Sequence, residues 1–110
     1  MKKSELKKYI ADGGATLDAR TLRPVSFSDG YQVTRIDGER IAAENARIIF
    51  AEIKRLQGLA QPGDFIGLWI DARGLCCVDL SEHIADLAEA RRLQAERHQD
   101  DIYAWAGDLA

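Results

Sequence analysis

The chain has 110 residues, 46% of them apolar and 30% charged, with a net charge of −3 when histidine is neutral. That length and apolar share fit one soluble globular domain and exclude a disordered chain; a core of this size needs no metal or disulfide. No run approaches the ~20 apolar residues of a membrane span, and no apolar segment follows the basic start, so neither membrane nor secretion is expected and the cytoplasm is the default location.

Ser4 can cap a short helix with Glu5 near its positive end, and Leu6, Tyr9 and Ile10 share one helical face. Gly13-Gly14 ends it, Ala15-Thr16-Leu17 can form a short strand, and residues 18–23 read as a loop. Residues 24–27 and 31–36 alternate apolar and polar side chains on either side of the turn Ser28-Asp29-Gly30, which predicts a hairpin whose second strand ends at Asp37-Gly38. From Glu39 to about Gln57 the period becomes helical, with Ile41, Ile48, Ile49, Ile53 and Leu56 as the apolar stripe and Gly58 as the stop. Residues 65–71 (FIGLWID) form the most apolar strand, Asp71-Ala72-Arg73-Gly74 turns it, and residues 75–80 return as its partner. Ser81 then caps a helix to about Arg97, whose inner stripe reads Ile84, Leu87, Ala88, Arg91 and Leu93. Residues 102–106 form a last strand, expected to pair parallel to an earlier one through a right-handed crossover.

The order α-(β)-β-β-α-β-β-α-β predicts an α+β fold, a mainly antiparallel sheet of four to five strands carrying two to three helices, in a single domain spanning residues 1–110.

Little in the sequence points to catalysis. Cys76 and Cys77 are adjacent, so on a strand they face opposite ways and cannot easily bridge; they read as small apolar residues. His83 and His98 lie too far apart on one helix to share a metal. No phosphate-loop, dinucleotide-binding, zinc-protease or nucleophile-elbow motif occurs. No catalytic residue, metal or cofactor is assigned, and the expectation is a protein that is not an enzyme.

Charge is uneven: residues 1–55 carry a net +3 and residues 56–110 a net −6. The acidic half argues against broad phosphate binding. The clustered Lys2, Lys3, Lys7 and Lys8 are the best case for a nucleic-acid module, which is the third-ranked reading.

The aromatic residues are more informative. Alternation puts Ile66, Leu68 and Ile70 on one face of their strand and Phe65, Gly67, Trp69 and Asp71 on the other. Tyr103 and Trp105 also share a face. Were the two strands neighbours, Trp69, Tyr103 and Trp105 would form a patch for a partner, unless a helix covers it. An uncovered face would favour a homodimer. A pocket of Trp69, Tyr103 and Arg91 holding a stacked base is the second reading, a small-ligand or nucleotide-binding domain.

The run Gly67-Leu68-Trp69-Ile70-Asp71, with Val78-Asp79, Ser81-Glu82-His83-Ile84, Ala88, Ala90 and Gln99-Asp100-Asp101-Ile102-Tyr103, resembles small uncharacterised accessory proteins encoded by phages and mobile elements. Gly13-Gly14-Ala15-Thr16-Leu17 and Phe27-Ser28-Asp29-Gly30-Tyr31-Gln32-Val33 look similar to the same group. The resemblance implies a mobile-element setting and no active site. The first expectation is therefore a protein that binds a host protein or protein complex, such as an anti-CRISPR-like inhibitor of host defence.

Overall fold

Alternation and turn chemistry set the middle of the sheet. In the computed structural model, which describes residues 1–107, strand β3 (Asp64–Ile70) turns at Asp71–Gly74 and pairs antiparallel with β4 (Leu75–Ile84). The Asp71 carboxylate accepts from the Arg73 and Leu75 N–H groups at 2.9 Å each, which fixes the turn. β1 (Gly14–Asp18) pairs with the outer side of β3, and β2 (Tyr31–Ala42) with the outer side of β4. The two-residue β5 (Tyr103–Ala104) completes an α+β fold whose sheet order is β1-β3-β4-β2-β5, antiparallel throughout.

One face of the sheet is apolar and carries all three helices of the described residues: α1 (Lys3–Ala11), α2 (Ala46–Gln57) and α3 (Leu87–Glu96). Ile66, Leu68, Val78 and Leu80 of the sheet pack with Leu6 of α1 and Ile49, Ile53 and Leu56 of α2. Each such fully buried side chain contributes about 1.5–3 kcal/mol. α3 covers the other end of the same face, where Ala90 packs with Val33 and Ile102.

Several expectations are corrected. The helix expected from Glu39 begins at Ala46, because β2 runs on past Gly38 through two bulges. Thr34 pairs with Ser81 and Ile36 with Leu80, leaving Arg35 as an extra residue; Gly38 and Glu39 together oppose Val78. A Cβ at Gly38 would lie 2.4 Å from the Val78 carbonyl oxygen, so only glycine fits. The Glu39 N–H finds the Glu52 carboxylate of α2 at 2.7 Å. Ile41 thus belongs to the sheet, and Ile48 is left half-exposed.

Ser81 does not cap a helix. It is buried in β4, and α3 starts six residues later behind Asp86, whose carboxylate accepts the Glu89 N–H at 2.9 Å. Leu87 and Leu93 face inward as expected, but the buried residue between them is Ala90, while Ala88 and Arg91 face solvent and Ile84 belongs to β4. Ser4 likewise lies inside α1, behind Lys2, whose N–H donates to Glu5. Residues 24–27 form no hairpin strand; only Pro24 bridges, to Leu17 of β1. The last strand pairs antiparallel with β2, not parallel. The α3 crossover returns the chain in the direction of β4 but places it beyond β2, so the parallel strands are not adjacent.

Candidate functional site

The second face of the sheet carries no helix of the described residues. Phe65, Gly67 and Trp69 of β3 and Cys77, Asp79, Ser81 and His83 of β4 alternate with the core positions and face this side, beside Gln32, Thr34, Asp37 and Arg40 of β2. The bulge at Arg35 shifts the alternation of β2 and thereby turns Asp37 to the open face.

Each end of this face is closed by side chains. At one end Phe27 stacks on His83 with ring centres 3.8 Å apart and meets Phe65 and Trp105 edge-on at 5.6 and 5.4 Å. His83 Nε2 is tied to the Asp29 carbonyl at 2.8 Å, and a Cβ at Gly30 would collide with it at 2.5 Å. At the other end the Arg40 guanidinium lies 5.9 Å from the Trp69 ring centre and 3.7 Å from the Asp71 carboxylate. Between them runs a groove of about 1030 Å³, from Thr16 on the β1 side to residues 98–103 on the β5 side.

The floor of the groove is polar. Trp105 Nε1 donates to Gln32 Oε1 at 2.9 Å, and Gln32 Nε2 donates to Ser81 Oγ at 3.0 Å, so two buried polar side chains satisfy each other. Asp79, on the central strand, accepts the Thr34 hydroxyl on Oδ2 at 3.1 Å. Its Oδ1 is closed to solvent and has no hydrogen-bond partner among the described residues. That oxygen rests above Gly67, where an added Cβ would lie only 2.3 Å away. Burial pushes the Asp79 carboxyl up to about 6, and neighbouring Asp37 acts in the same direction, against the Thr34 hydroxyl and a weaker pull from the Gly67 N–H.

The groove is acidic: among the described residues Asp12, Asp37, Asp79, Asp100 and Asp101 border it, against Arg40 as the one formally basic side chain. Among the described residues no three metal-ligating side chains come together. Burial raises the thiols of both cysteines, that of core-facing Cys76 to about 11, so neither is a thiolate at neutral pH.

Trp69, Tyr103 and Trp105 all border the groove but do not form one patch. Tyr103 and Trp105 touch edge-on at 5.1 Å, whereas β4 and β2 separate β5 from β3, a distance of roughly 14 Å at strand spacing. Trp69 is 44% exposed and Tyr103 58%, while Trp105 is half-buried. Arg91 sits on α3, across the sheet from this face, so the expected base-stacking trio of Trp69, Tyr103 and Arg91 is not assembled. Lys2, Lys3, Lys7 and Lys8 lie exposed at α1, also on the helix side. Gly67, Gln32 and Thr34 were expected only as face-forming residues, and Asp79 only as one of the carboxylates, with Glu82, Asp86 and Glu89, at a helix start; none carried an expected role in a site. The signal for Asp79 was a carboxylate inside the otherwise apolar run 75–80.

Comparison of the chain with protein-family models, curated proteins and solved structures finds no match.

Proposed function

We propose that this chain is a non-enzymatic binding domain whose open sheet face receives an extended, basic segment of a protein partner. The observation carrying this reading is the combination of exposed aromatic walls, Trp69 and Tyr103, with a groove bordered by five aspartates and one arginine. Tryptophan and tyrosine are the commonest anchors of protein interfaces. A groove open along its length suits a polypeptide better than a small ligand, which proteins usually enclose on most sides. Phosphate-bearing ligands are disfavoured by the same carboxylates. So is a homodimer through this face, since a two-fold contact would set acid against acid. The resemblance to mobile-element proteins puts host defence complexes first among the partners to screen.

Panning displayed random peptides on the wild-type chain tests the reading. Enriched peptides should carry basic residues, shift amide resonances of the open face saturably, and lose binding to the Trp69→Ala/Tyr103→Ala variant. Peptides that map to the helix face, or bind the double variant equally well, would sink it. A concentration-dependent dimer abolished by Tyr103→Ala would replace it with self-association.

A further inference from the structure

We propose that Asp79 is the seat for the cationic head group of a lysine or arginine side chain of that partner segment, entering the groove between Trp69 and Trp105. The proposal rests on the groove being the binding face, and it names the side chain that face selects.

The argument begins from an imbalance of charge. Asp79 lies on the floor with the Thr34 hydroxyl as its one well-formed side-chain donor and only a weak pull from the Gly67 N–H; its Oδ1 makes no hydrogen bond of normal geometry among the described residues. Across the β2–β4 ladder it pairs with a second carboxylate, Asp37, which receives the Gln99 amide at 3.0 Å. Asp100 and Asp101 add negative charge from the wall, which also carries His98 and the Tyr103 phenol. None of the nearby arginines compensates. Arg40 is engaged with Asp71 and the Trp69 ring. Arg35 and Arg97 are paired with Asp64 and Glu82 on the helix side of the sheet. A poorly hydrated carboxylate without a counter-charge is costly, and a cation that also donates hydrogen bonds removes the cost.

The shape of the site indicates which cation. Fewer than three metal-ligating side chains converge among the described residues, which is a poor cage for a metal ion. Gly67 keeps the floor low under Asp79, and the indole of Trp69 stands two residues along the same strand face. A long aliphatic stem ending in an ammonium or guanidinium fits that arrangement, with the stem along the aromatic wall and the head on the carboxylate.

Two capped amino acids test this on the intact, nitrogen-15-labelled chain: Nα-acetyl-arginine methylamide and its neutral isostere, Nα-acetyl-citrulline methylamide. The arginine compound should shift the Gly67 and Asp79 amides and the Trp105 indole saturably. Citrulline should bind roughly tenfold more weakly or worse, and Asp79→Asn should weaken arginine by a similar factor. Equal binding of citrulline, an undiminished response in Asp79→Asn, or no saturable shift overturns the proposal. The citrulline comparison needs no variant, so a folding defect cannot mask the result. Panned peptides that still require Trp69 and Tyr103 while ignoring Asp79 would remove the seat and leave the groove reading standing; loss of both removes both.

Discussion

Gly67 and Asp79 face each other across β3 and β4, and the Asp79 carboxylate occupies the volume that a side chain at 67 would fill. An added Cβ would stand 2.3 Å from Oδ1 and 3.1 Å from Cγ, so Gly67→Ala drives the carboxylate outward into the groove. Burial is the main reason the group titrates near 6, and exposure returns it toward 3.8. A carbon-13 carboxyl titration by NMR should therefore find the Asp79 midpoint clearly lower in Gly67→Ala than in the wild type. Equal midpoints would mean that the glycine does not hold the carboxylate in its buried position.

The same carboxylate makes stability depend on pH in an unusual direction. Its pKa is raised on folding, so between pH 3.8 and about 6 the native chain holds more protons than the unfolded one. Stability from this group is present below that window and lost as pH rises through it. A rise from 3.8 to about 6 corresponds to about 3 kcal/mol at neutral pH. Asp79→Asn keeps an acceptor for Thr34 but leaves an amide above Gly67, so a gain of about 1–3 kcal/mol at pH 7.5 is expected, vanishing near pH 4. Urea unfolding at both pH values checks this. A variant less stable at pH 7.5 would show that the ionised carboxylate is well accommodated in the free protein.

Glu52 titrates the opposite way and holds the fold from the other face. Hydrogen bonding to Arg55, with a further bond from the Glu39 N–H, keeps its carboxyl below the usual range despite burial. Its contribution is present at neutral pH and lost as the solution is acidified below 4.5. Glu52→Ala removes the acceptor for the Glu39 N–H that the β2 bulge leaves unpaired, at a cost of about 2–3 kcal/mol. Glu52→Gln keeps an acceptor and should lose less. Denaturant melts of the two variants decide; no loss in Glu52→Ala would mean that the bulge satisfies itself through water.

What could be read from the sequence was local. Alternation in residues 65–71 gave the buried face of β3, and the spacing of Ile49, Ile53 and Leu56 gave the inner stripe of α2. The bulges at Arg35 and at Gly38–Glu39 exist only because β2 must stay in register with β4, and no local pattern encodes that register. Ser81 looked like a helix cap because serine suits both roles; its pairing with Thr34 and Phe65 placed it in the strand. The site divides the same way. The shared parity of Tyr103 and Trp105 was legible, whereas the two strands separating them from Trp69, and the placement of Asp79 above Gly67, depend on long-range pairing.

The two tryptophans of the groove should separate binding from folding. Trp69 is 44% exposed and its ring is met by Arg40, so Trp69→Ala should cost at most about 1 kcal/mol in thermal unfolding. Trp105 is half-buried, and its indole N–H is the donor to Gln32 Oε1. Trp105→Phe keeps the ring contact with Phe27 but leaves that buried oxygen without its donor, at about 1–3 kcal/mol. Trp69→Ala should therefore unfold near the wild-type temperature yet fail to bind the panned peptides, while Trp105→Phe should melt clearly earlier. A Trp69→Ala variant that melts as early as Trp105→Phe would make Trp69 part of the fold, and Tyr103, 58% exposed at the opposite wall, would be left as the sole exposed aromatic anchor of the proposed interface.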